Sequence, residues 1–375
     1  MIPFNKPYLH GKELVYIAEA VAGGKISGDG VFTKKCHDFF ERHYDFKKTL
    51  LTTSCTDALE MSAILLDIQP GDEIIAPSFT FVSTVNAFAL RGAVIKFADS
   101  YSDNPNIDPE SIEKLINKKT KAIVVVHYAG VSCDMDAIML LSQKYNIPVI
   151  EDAAQAIDSY YKDKPLGSIG TFGTFSFHET KNIISGEGGM LVINDEEFIN
   201  RAEVIREKGT NRASFFRGEV NKYGWVDIGS SFLPSDIIAA YLYAQLENIN
   251  QIQQKRKVIW ERYYEKLTSL SAQGKISLPI IPNYATNNAH MFYITCGDLE
   301  TRSKLINYLK ENQIHAVFHY LSLHKSEFYS KYYSGENLPN SDKFTDNLLR
   351  LPMFYELDIT EVDIICEVIN NFFDQ

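Results

Sequence analysis

Between residues 48 and 195, short apolar runs alternate with amphipathic segments of helical spacing. This alternation limits the possible folds more than any other feature of the chain, because runs that are apolar on both faces and separated by helices predict a largely parallel sheet covered on both sides. The expected strands lie at 49–53, 72–76, 93–98, 121–128 and 147–152, and the expected helices lie near 57–67, 82–91, 109–117 and 134–145. Ligands of such sheets bind at the carboxyl ends of the strands, so the polar residues after each run are the first candidates for a site.

The remainder of the chain predicts a second, smaller domain. Apolar residues keep an approximately helical spacing from Ser235 to about Leu267, which predicts one long helix with Ser235 and Asp236 at its N-cap. Strands are expected at 290–296 and 315–320, and helices near 300–313 and 359–373. The chain is therefore predicted to be an α/β protein with a large domain over 1–240, a linking helix over 241–270 and a small α+β domain over 271–375.

Charge and cysteine content exclude several classes of function. A formal net charge of −11 argues against nucleic acid or an anionic membrane surface as the main partner. The five cysteines are scattered, include no Cys-x-x-Cys pair, and predict neither a disulfide framework nor a zinc site. The chain begins without the features of a signal peptide, and no run of about 18 apolar residues could span a bilayer. We therefore expect a cytoplasmic protein without a metal site or membrane insertion.

Two residues in the middle of the chain combine the groups that pyridoxal phosphate requires. Asp152 ends the fifth apolar run and precedes an expected helix, where an ionised carboxylate is stabilised, although an aspartate there is more often only an N-cap. Lys181 follows 29 residues later, after an expected strand at 174–177 and before the glycine-rich turn 186–189. By itself it would be an ordinary surface lysine. Together the two supply a carboxylate for the pyridine nitrogen and an amine that holds the cofactor as a Schiff base and moves a proton.

A phosphate group would find hydrogen-bond donors after the first expected strand. Ser54, Cys55 and Thr56 open a helix there, so backbone N–H groups and the Thr56 hydroxyl can bind an anion, although this sequence is also common helix capping. Cys55 has no evident histidine partner and is expected to contribute its backbone rather than a reactive thiol. Phe79 or Phe81, after the second run, can stack on the pyridine ring, but an aromatic residue at a strand end more often belongs to the core.

These segments in this order resemble the sugar aminotransferases of the DegT/DnrJ/EryC1/StrS family. The resemblance spans nearly the whole chain and rests on PFNKP, SGDGVF, TTSCTDAL, PSFTFVST, HYAG, EDAAQA, SFHETKN, GEGGM, HMFY and FHYLSLH. The combination of EDAAQA, SFHETKN and GEGGM at these spacings is specific. It implies the type I fold of pyridoxal-phosphate aminotransferases, with a mostly parallel seven-stranded sheet in the large domain and a smaller α+β C-terminal domain.

The resemblance also implies roles around the cofactor ring. Lys181 would hold the cofactor and move the proton, and Asp152 would pair with the ring nitrogen. Gln155, one helical turn later, would reach the ring hydroxyl, and Phe81 would stack on the ring. His178, three residues before Lys181, would help to position groups rather than transfer a proton.

The phosphate site is implied to lie between two subunits. Thr56, the backbone at Cys55 and Ser176 would bind the phosphate. In the family a partner subunit usually adds an asparagine from a segment like Gly-Tyr-Asn-Tyr-Arg, whereas the corresponding stretch here reads GSSFL at 229–233. Either Ser231 or Asn211 would take that place, and the active site would lie at a homodimer interface.

For the substrate, the resemblance implies glutamate as amino donor and a dTDP-linked keto-sugar as acceptor. The expected reaction converts dTDP-4-dehydro-6-deoxyglucose into dTDP-4-amino-4,6-dideoxygalactose for a surface polysaccharide, by way of pyridoxamine phosphate. His290, His319 and His324 lie in stretches that the family uses near the nucleotide sugar, but each is as readily a packed or surface histidine.

Several related functions remain as alternatives. An aminotransferase that acts at C3, or that gives the gluco configuration, is compatible with the same residues. A sugar dehydratase of this fold carries histidine in place of the cofactor lysine, and a non-enzymatic regulator has no need for Lys181, Asp152 and Gln155 together. The presence of all three favours a transaminase.

Overall fold

The computed structural model describes residues 1–374 and contains a large and a small sheet, each packed with helices. The helices are Glu13–Ala22 (α1), Val31–His43 (α2), Cys55–Leu65 (α3), Ser83–Ala89 (α4), Pro109–Leu115 (α5), Met135–Tyr145 (α6), Ile199–Arg206 (α7), Arg212–Phe216 (α8), Asp236–Leu246 (α9), Ile249–Ala272 (α10), Leu299–Glu311 (α11), Pro339–Asn347 (α12) and Ile359–Phe373 (α13). The strands are Thr49–Thr52 (β1), Glu73–Pro77 (β2), Val94–Ala98 (β3), Thr120–Val126 (β4), Val149–Asp152 (β5), Tyr160–Tyr161 (β6), Lys164–Pro165 (β7), Phe172–Ser176 (β8), Gly189–Ile193 (β9), Ile276–Ser277 (β10), Tyr293–Cys296 (β11), Val317–Phe318 (β12) and Leu348–Arg350 (β13).

The large sheet has seven strands in the order β1-β9-β8-β5-β4-β2-β3. Strands β2, β3, β4, β5 and β8 pair in parallel, whereas β9 runs antiparallel to both of its neighbours, β1 and β8. The predicted mostly parallel sheet is confirmed, and the five apolar runs form β1 to β5. Strand β9 was not predicted, because its first residue, Gly189, belongs to the glycine-rich turn and resembles loop sequence.

Alternate side chains of these strands enter two separate cores, one on each face of the sheet. Because side chains of a strand alternate between faces, a run that is apolar at every position can serve both cores. One core holds Leu51, Ile75, Ile123, Val125 and Val149 together with residues of α2, α6 and α9. The other holds Leu50, Ile74, Ala122, Val124 and Ile150 together with residues of α3, α4 and α7.

Short polar side chains define where many helices begin. An N-cap oxygen that accepts a backbone N–H satisfies one of the donors left free in the first turn. This bond is made by Ser54 to Asp57, Asp108 to Glu110, Asp134 to Ala137, Ser235 to Ile238, Asp298 to Thr301 and Asp358 to Thr360.

The predicted single helix from Ser235 to Leu267 is wrong, because the structure has two helices, α9 and α10, separated at Glu247 and Asn248. The Asn248 amide donates to the Ala244 carbonyl over 2.8 Å, the acceptor that a continuous helix would use for the Asn248 backbone N–H. That N–H instead reaches the Gln245 carbonyl at 3.0 Å. Asparagine competes in this way with helical hydrogen bonds, which ends α9 here.

The small sheet has four antiparallel strands in the order β10-β11-β13-β12. Helices α10, α11 and α13 contribute to its core. The start of the chain runs along this sheet: His315 donates its backbone N–H to Ile2 at 3.0 Å, and Met353 donates to Phe4 at 3.2 Å. The domain boundaries given above stay a prediction.

A tyrosine from the last third of the chain covers one edge of the large sheet. Strand β3 is an edge strand, and the Tyr329 hydroxyl accepts the Ile95 N–H at 2.6 Å and donates to the Ile95 carbonyl at 3.2 Å. One side chain therefore satisfies both backbone groups of Ile95.

Within residues 1–374, no helix combines the length and the apolar character needed to cross a membrane. The same residues contain no group of three or more histidine, cysteine, aspartate or glutamate side chains that could hold a metal ion.

Candidate active site

A cleft of about 370 Å³ opens at the carboxyl ends of the large-sheet strands and is closed on its other side by residues from the last third of the chain. Two groups of residues that line it are named here. The sheet wall comprises Cys55, Thr56, Asp152, Ser176 and Lys181, and the C-terminal wall comprises His290, His319, Tyr320 and Arg350. Gln155 and Phe81 also line the cleft, whereas Ser231 and His324 do not.

Lys181 lies in the loop between β8 and β9, and its amine makes no hydrogen bond or ion pair with any of residues 1–374. The backbone N–H of Lys181 donates to the His178 carbonyl at 2.9 Å, which fixes the start of the side chain. Burial lowers the pKa of the amine to about 8, and the nearby Arg350 charge acts in the same direction, while Asp152 opposes them. A free amine with a lowered pKa is a nucleophile close to neutral pH.

Asp152 ends β5 at the floor of the cleft and is 5% exposed. The Thr84 hydroxyl donates to one carboxylate oxygen at 2.7 Å, and the Ala154 N–H donates to the other at 3.2 Å. Burial raises the pKa of this carboxyl, whereas the Thr84 hydrogen bond and the Lys181 charge act against the rise. Within residues 1–374 no basic side chain forms an ion pair with it. A buried carboxylate in this position is suited to a cationic partner.

Gln155 connects the two sides of the cleft. Its amide oxygen accepts the Ala129 N–H at 2.6 Å, and its amide nitrogen donates to the Tyr320 hydroxyl at 3.1 Å. Ala129 has a φ of 58°, so a local turn presents this N–H to the glutamine. These two hydrogen bonds fix the orientation of the Gln155 amide, with its oxygen toward Ala129 and its nitrogen toward Tyr320.

At the other end of the sheet wall, two helix starts meet. The Thr56 hydroxyl at the start of α3 donates to the hydroxyl of Ser83, the first residue of α4, at 2.9 Å. Gly189 of β9 passes so close that a Cβ atom there would lie 2.2 Å from the Ser54 carbonyl carbon and 2.4 Å from the Cys55 nitrogen. Backbone donors and hydroxyls at a helix start can bind a phosphate. Sequence reasoning missed Ser83, although it directly follows the PSFTFV segment at the end of the second strand.

The two candidate aromatic residues after β2 occupy different places. Phe79 is 1% exposed and packs against Tyr128 and Phe344 in the core, so it does not line the cleft. Phe81 is 55% exposed, and its ring centre lies 6.0 Å from that of Tyr320. An exposed ring at the mouth of the cleft is the one available for stacking.

Cys55, Ser176 and His178 are held by local contacts. Burial raises the pKa of the Cys55 thiol, which therefore stays protonated and is a poor nucleophile. The Ser176 hydroxyl accepts the His178 N–H at 3.4 Å. The His178 ring lies 3.0 Å from the Thr180 hydroxyl through Nδ1 and 3.7 Å from Glu187 through Nε2.

The C-terminal wall contains two residues that sequence reasoning missed, Tyr320 and Arg350. An Arg350 terminal nitrogen lies 3.3 Å from Nε2 of His319. His290 is 4% exposed, and its Nδ1 lies 2.9 Å from the Asn182 amide oxygen. Burial holds the pKa of both histidines well below the ordinary value, so neither ring is charged at neutral pH.

His324 lies outside the cleft because its ring is hydrogen-bonded elsewhere, to Ser78. Nδ1 lies 2.7 Å from the Ser78 hydroxyl, and Nε2 lies 3.7 Å from Asp342. Ser231 is exposed on the loop after α8 and pairs with Glu207. Asn211 also remains apart from this cleft, and its amide oxygen accepts the Gly224 N–H at 2.9 Å. A single chain therefore does not bring Ser231 or Asn211 to its own site.

The groups in the cleft fit pyridoxal phosphate in three respects. The unpartnered Lys181 amine is available for covalent attachment. The buried Asp152 carboxylate has no basic partner among residues 1–374 and can therefore pair with a cation such as a protonated ring nitrogen. At one end of the cleft, the Thr56 hydroxyl and the backbone at the start of α3, beside which only a glycine fits at position 189, can hold a phosphate.

Comparisons with known proteins agree with this geometry. Residues 7–370 match the model of the DegT/DnrJ/EryC1/StrS aminotransferase family. The chain belongs to this family.

Two relatives extend over almost the same length. The spore coat polysaccharide biosynthesis protein SpsC of Bacillus subtilis is 31% identical over 99% of this chain and 96% of its own. The UDP-4-amino-4-deoxy-L-arabinose–oxoglutarate aminotransferase of Shewanella sediminis is 32% identical over 99% of this chain and 98% of its own.

Among solved structures, the protein Spr1654 of Streptococcus pneumoniae is similar to this chain in both its PLP form and its PMP form. The PLP form is 26% identical with a TM-score of 0.90, and the match covers 100% of this chain and 98% of that one. The PMP form is also 26% identical, with a TM-score of 0.92. The chain described here belongs to the DegT/DnrJ/EryC1/StrS family of sugar aminotransferases. It is therefore an aminotransferase that has the aminotransferase fold and uses pyridoxal phosphate as its cofactor.

Proposed function

We propose that this aminotransferase moves the amino group of glutamate to the C4 ketone of a nucleotide-linked sugar, converting dTDP-4-dehydro-6-deoxyglucose into dTDP-4-amino-4,6-dideoxygalactose. The observation that carries the proposal is the unpartnered Lys181 amine in the same cleft as the buried Asp152 carboxylate. The Shewanella sediminis relative is named for a 4-amino sugar linked to UDP and for oxoglutarate. That name supports amination at C4 and the glutamate–oxoglutarate pair.

In this proposal Lys181 and Asp152 divide the chemistry between them. The bound cofactor supplies an electron-withdrawing ring that stabilises negative charge on the carbon losing a proton. Lys181 Nζ takes that proton from the amino-bearing carbon of glutamate, and in the second half of the cycle it moves a proton at C4 of the sugar. The Asp152 carboxylate, oriented by the Thr84 hydroxyl and the Ala154 N–H, would pair with the ring nitrogen and favour its protonated form.

The other residues of the cleft would bind and orient the cofactor. Gln155, already fixed by Ala129 and Tyr320, would donate its remaining N–H toward the ring hydroxyl. Phe81 would cover the ring from the mouth of the cleft. The phosphate would be bound by Thr56, the backbone at Cys55, Ser176 and Ser83. Ser83 is included because its hydroxyl is paired with that of Thr56.

We further propose a homodimer in which the loop after α8 completes the partner's phosphate site. The end of α8 and this loop expose a group of large apolar side chains, which on a single chain would be unfavourable in water and which mark an interaction surface. The group comprises Phe216 (69% exposed), Tyr223 (52%), Trp225 (82%), Val226 (57%) and Ile228 (45%). Ser231 follows it directly, and Asn211 precedes it, so either could enter a neighbouring cleft.

We also propose a cytoplasmic location. All five cysteines are buried and unpaired, a state that a reducing compartment preserves.

The reaction can be tested by identifying the product. Purified enzyme is incubated with glutamate and, separately, with dTDP-4-dehydro-6-deoxyglucose and its UDP counterpart, and the C4 configuration is determined by NMR. The proposal expects a galacto 4-amine from the dTDP sugar and faster turnover than with the UDP sugar. A gluco product, amination at C3, or loss of a hydroxyl without transfer of nitrogen would each contradict it.

The cofactor chemistry can be tested separately from the identity of the sugar. Addition of glutamate alone should remove the visible absorbance of the bound cofactor and release 2-oxoglutarate. A regulator of the same fold would keep its absorbance unchanged under the same conditions.

A further inference from the structure

Asn182, the residue after Lys181, connects the lysine loop to the C-terminal wall. Its side chain is buried and uses both amide hydrogens: the nitrogen donates to the Gln253 side-chain oxygen at 2.8 Å and to the Asn288 carbonyl at 2.8 Å. The Asn182 oxygen lies 2.9 Å from Nδ1 of His290. The lysine loop, α10 and the segment before β11 therefore meet in one hydrogen-bonded group.

The orientation of each amide in this group follows from partners that can only accept hydrogen bonds. The Asp158 carboxylate accepts the Gln253 amide nitrogen at 3.3 Å, so the Gln253 oxygen faces Asn182. The Asn288 carbonyl likewise requires the nitrogen of Asn182, which leaves the Asn182 oxygen for His290. Because an amide oxygen only accepts, Nδ1 of His290 is the donor and carries a proton.

His290 consequently presents a free acceptor to the cleft. Burial and the Lys181 and Arg350 charges hold the pKa of its imidazole well below the ordinary value, so the ring is neutral and its only proton lies on Nδ1. Nε2 therefore carries a lone pair. This atom makes no hydrogen bond with any of residues 1–374 and is not shielded from solvent, and the residue lines the cleft together with Lys181. The cleft thus contains a nitrogen that accepts a hydrogen bond and cannot donate one.

The other histidine of the C-terminal wall offers no such acceptor. An Arg350 terminal nitrogen, which is always a donor, lies 3.3 Å from Nε2 of His319 and uses its lone pair. The His319 ring is also neutral because burial lowers its pKa, so its proton lies on Nδ1, which is shielded from solvent and has no partner. Of these two histidines, His290 alone can accept a hydrogen bond from a ligand in the cleft.

We propose that Nε2 of His290, held in place by Asn182, accepts a hydrogen bond from the hydroxyl at C3 of the keto-sugar. This inference rests on the proposed function and names the group of the sugar that the site recognises. Apart from the amine that reacts, the polar groups of glutamate are carboxylates, whose lone pairs would face the lone pair of Nε2. A 4-dehydro-6-deoxy sugar carries a methyl group on C5, so the hydroxyl nearest to the reacting carbon is the one at C3. Asn182 is a positioning residue, because it acts on the sugar only through His290.

The first test removes the hydroxyl and its acceptor separately. The half-reaction of the aminated enzyme is followed with dTDP-4-dehydro-6-deoxyglucose and with its 3-deoxy analogue, in the wild type, His290→Leu and His290→Gln. In the wild type, loss of the hydroxyl should lower kcat/KM by roughly 10- to 100-fold, because the acceptor in the site is left unpaired. In His290→Leu the ratio between the two sugars should fall to about twofold or less. His290→Gln, whose side-chain oxygen can reach the position of Nε2, should restore part of the ratio.

The glutamate half-reaction is the internal control for these variants. It should change by no more than about twofold in either of them, because glutamate lacks the hydroxyl. His315→Leu is the matched control variant, since this exposed histidine also lies in the small-sheet region but outside the cleft. It should keep the wild-type ratio between the two sugars. Retained visible absorbance of the cofactor and an unchanged Tm show that each variant is folded.

The second test examines the histidine itself and needs neither cofactor nor sugar. Nitrogen NMR of the apoprotein with isotope-labelled histidine distinguishes the two neutral tautomers from the charged ring, and the spectrum of His290→Gln assigns the signal. The wild type should show a neutral His290 with its proton on Nδ1.

Asn182→Asp tests the positioning role through pH. A carboxylate at position 182 should raise the pKa of the His290 ring, so the ring becomes charged as the pH falls and Nε2 then donates instead of accepting. The keto-sugar half-reaction should therefore slow at low pH in this variant and not in the wild type. The other groups that act on the ring are listed here: the charges of Lys181, Arg350 and Arg256 lower its pKa, and His319 is neutral. Asn312→Asp, at an exposed residue, is the control and should keep the wild-type pH profile.

Several outcomes would overturn the inference. A wild type that reacts equally with both sugars, or an unchanged ratio in His290→Leu, would mean that His290 does not bind the C3 hydroxyl. An equal loss in the glutamate half-reaction would leave His290 only a structural role, and a proton on Nε2 in the apoprotein would remove the acceptor. Failure of the proposed function is distinguishable, since the wild type would then not aminate the dTDP sugar, whereas NMR would still report the tautomer of His290.

Discussion

The sheet wall and the C-terminal wall of the cleft differ in how their polar groups are satisfied. On the sheet wall, Asp152 and Thr56 have local partners, and the Lys181 amine is left free. On the C-terminal wall, His319 and Arg350 each keep a shielded donor without an acceptor. The sheet wall thus surrounds one free amine with residues held in place by local hydrogen bonds, whereas the C-terminal wall keeps two donors without acceptors. Because the two walls come from different parts of the chain, we expect substitutions on them to affect the reaction in different ways.

The largest effect is expected for Lys181→Ala. Removal of the amine eliminates both the covalent attachment and the proton carrier, so turnover should fall below detection. The measurement is product formation, together with borohydride treatment and mass analysis of residue 181. Lys162→Ala is the control, since this exposed lysine is paired with Asp136 at the surface. Appreciable activity of Lys181→Ala would show that the reaction does not require this residue of the sheet wall.

Asp152→Asn should have the next largest effect. The amide keeps the shape and the bond from Thr84 but loses the charge, so the cofactor should remain bound while the glutamate half-reaction slows by roughly 10²- to 10³-fold. Stopped-flow loss of visible absorbance measures this rate. Asp136→Asn, an exposed carboxylate, serves as the control. An unchanged rate in Asp152→Asn would leave the residue only a structural role at the end of β5, where the structure has turns instead of the helix that the sequence predicted.

Reconstitution of the apoprotein should depend on pH through the Lys181 amine. Because burial lowers the pKa of this amine to about 8, the reactive neutral form is scarce below pH 8 and predominates above it. The rate of covalent attachment should therefore rise about tenfold per pH unit up to this midpoint and then level off. Growth of the visible absorbance measures the rate, with N-acetyl-lysine as a reference whose rate continues to rise toward its ordinary pKa of about 10.4. The same midpoint for both amines would mean that the cleft does not activate Lys181.

The smallest effect is expected for Tyr320→Phe, which tests the link between the two walls. The change removes the hydroxyl that accepts the Gln155 amide, and a net loss of about 1 kcal/mol corresponds to a few-fold slower glutamate half-reaction with the cofactor retained. Tyr332→Phe, at a residue that is 63% exposed, is the matched control. If Tyr320→Phe releases the cofactor, the C-terminal wall takes part in holding it, and the contrast between the walls is weaker than proposed.

Much of the fold could be predicted because its signals are local. Strands β1, β2 and β5 are buried at every position and β4 over its last five residues, and such runs can be recognised one segment at a time. The edge strand β3 has one exposed and one half-buried position. Strand β9 was missed because it begins at Gly189 of the glycine-rich turn, and because one of its two antiparallel partners, β1, lies far away in sequence. The break at Asn248 was missed because the asparagine keeps the apolar spacing on either side while its own amide competes for the Ala244 carbonyl.

The same contrast applies to the candidate site. Asp152 ends one strand of the large sheet and Lys181 follows another, so their proximity could be inferred from topology. Arg350 ends a strand of the other sheet, and nothing near it in sequence indicates which cleft it enters. His324 was a candidate on its sequence context, yet its contact with Ser78 keeps it out of the cleft. Whether a buried polar group is satisfied is a three-dimensional property, and sequence patterns do not record it.

The Tyr329 hydroxyl on strand β3 has a consequence for the behaviour of the protein at high concentration. An uncovered edge strand is a template on which another molecule can add a strand of its own, and chains that stack in this way grow into fibrils. By occupying both the donor and the acceptor of Ile95, the second of the five residues of β3, Tyr329 interrupts that template. This phenol is therefore one feature that hinders the recruitment of a foreign strand at this margin of the molecule.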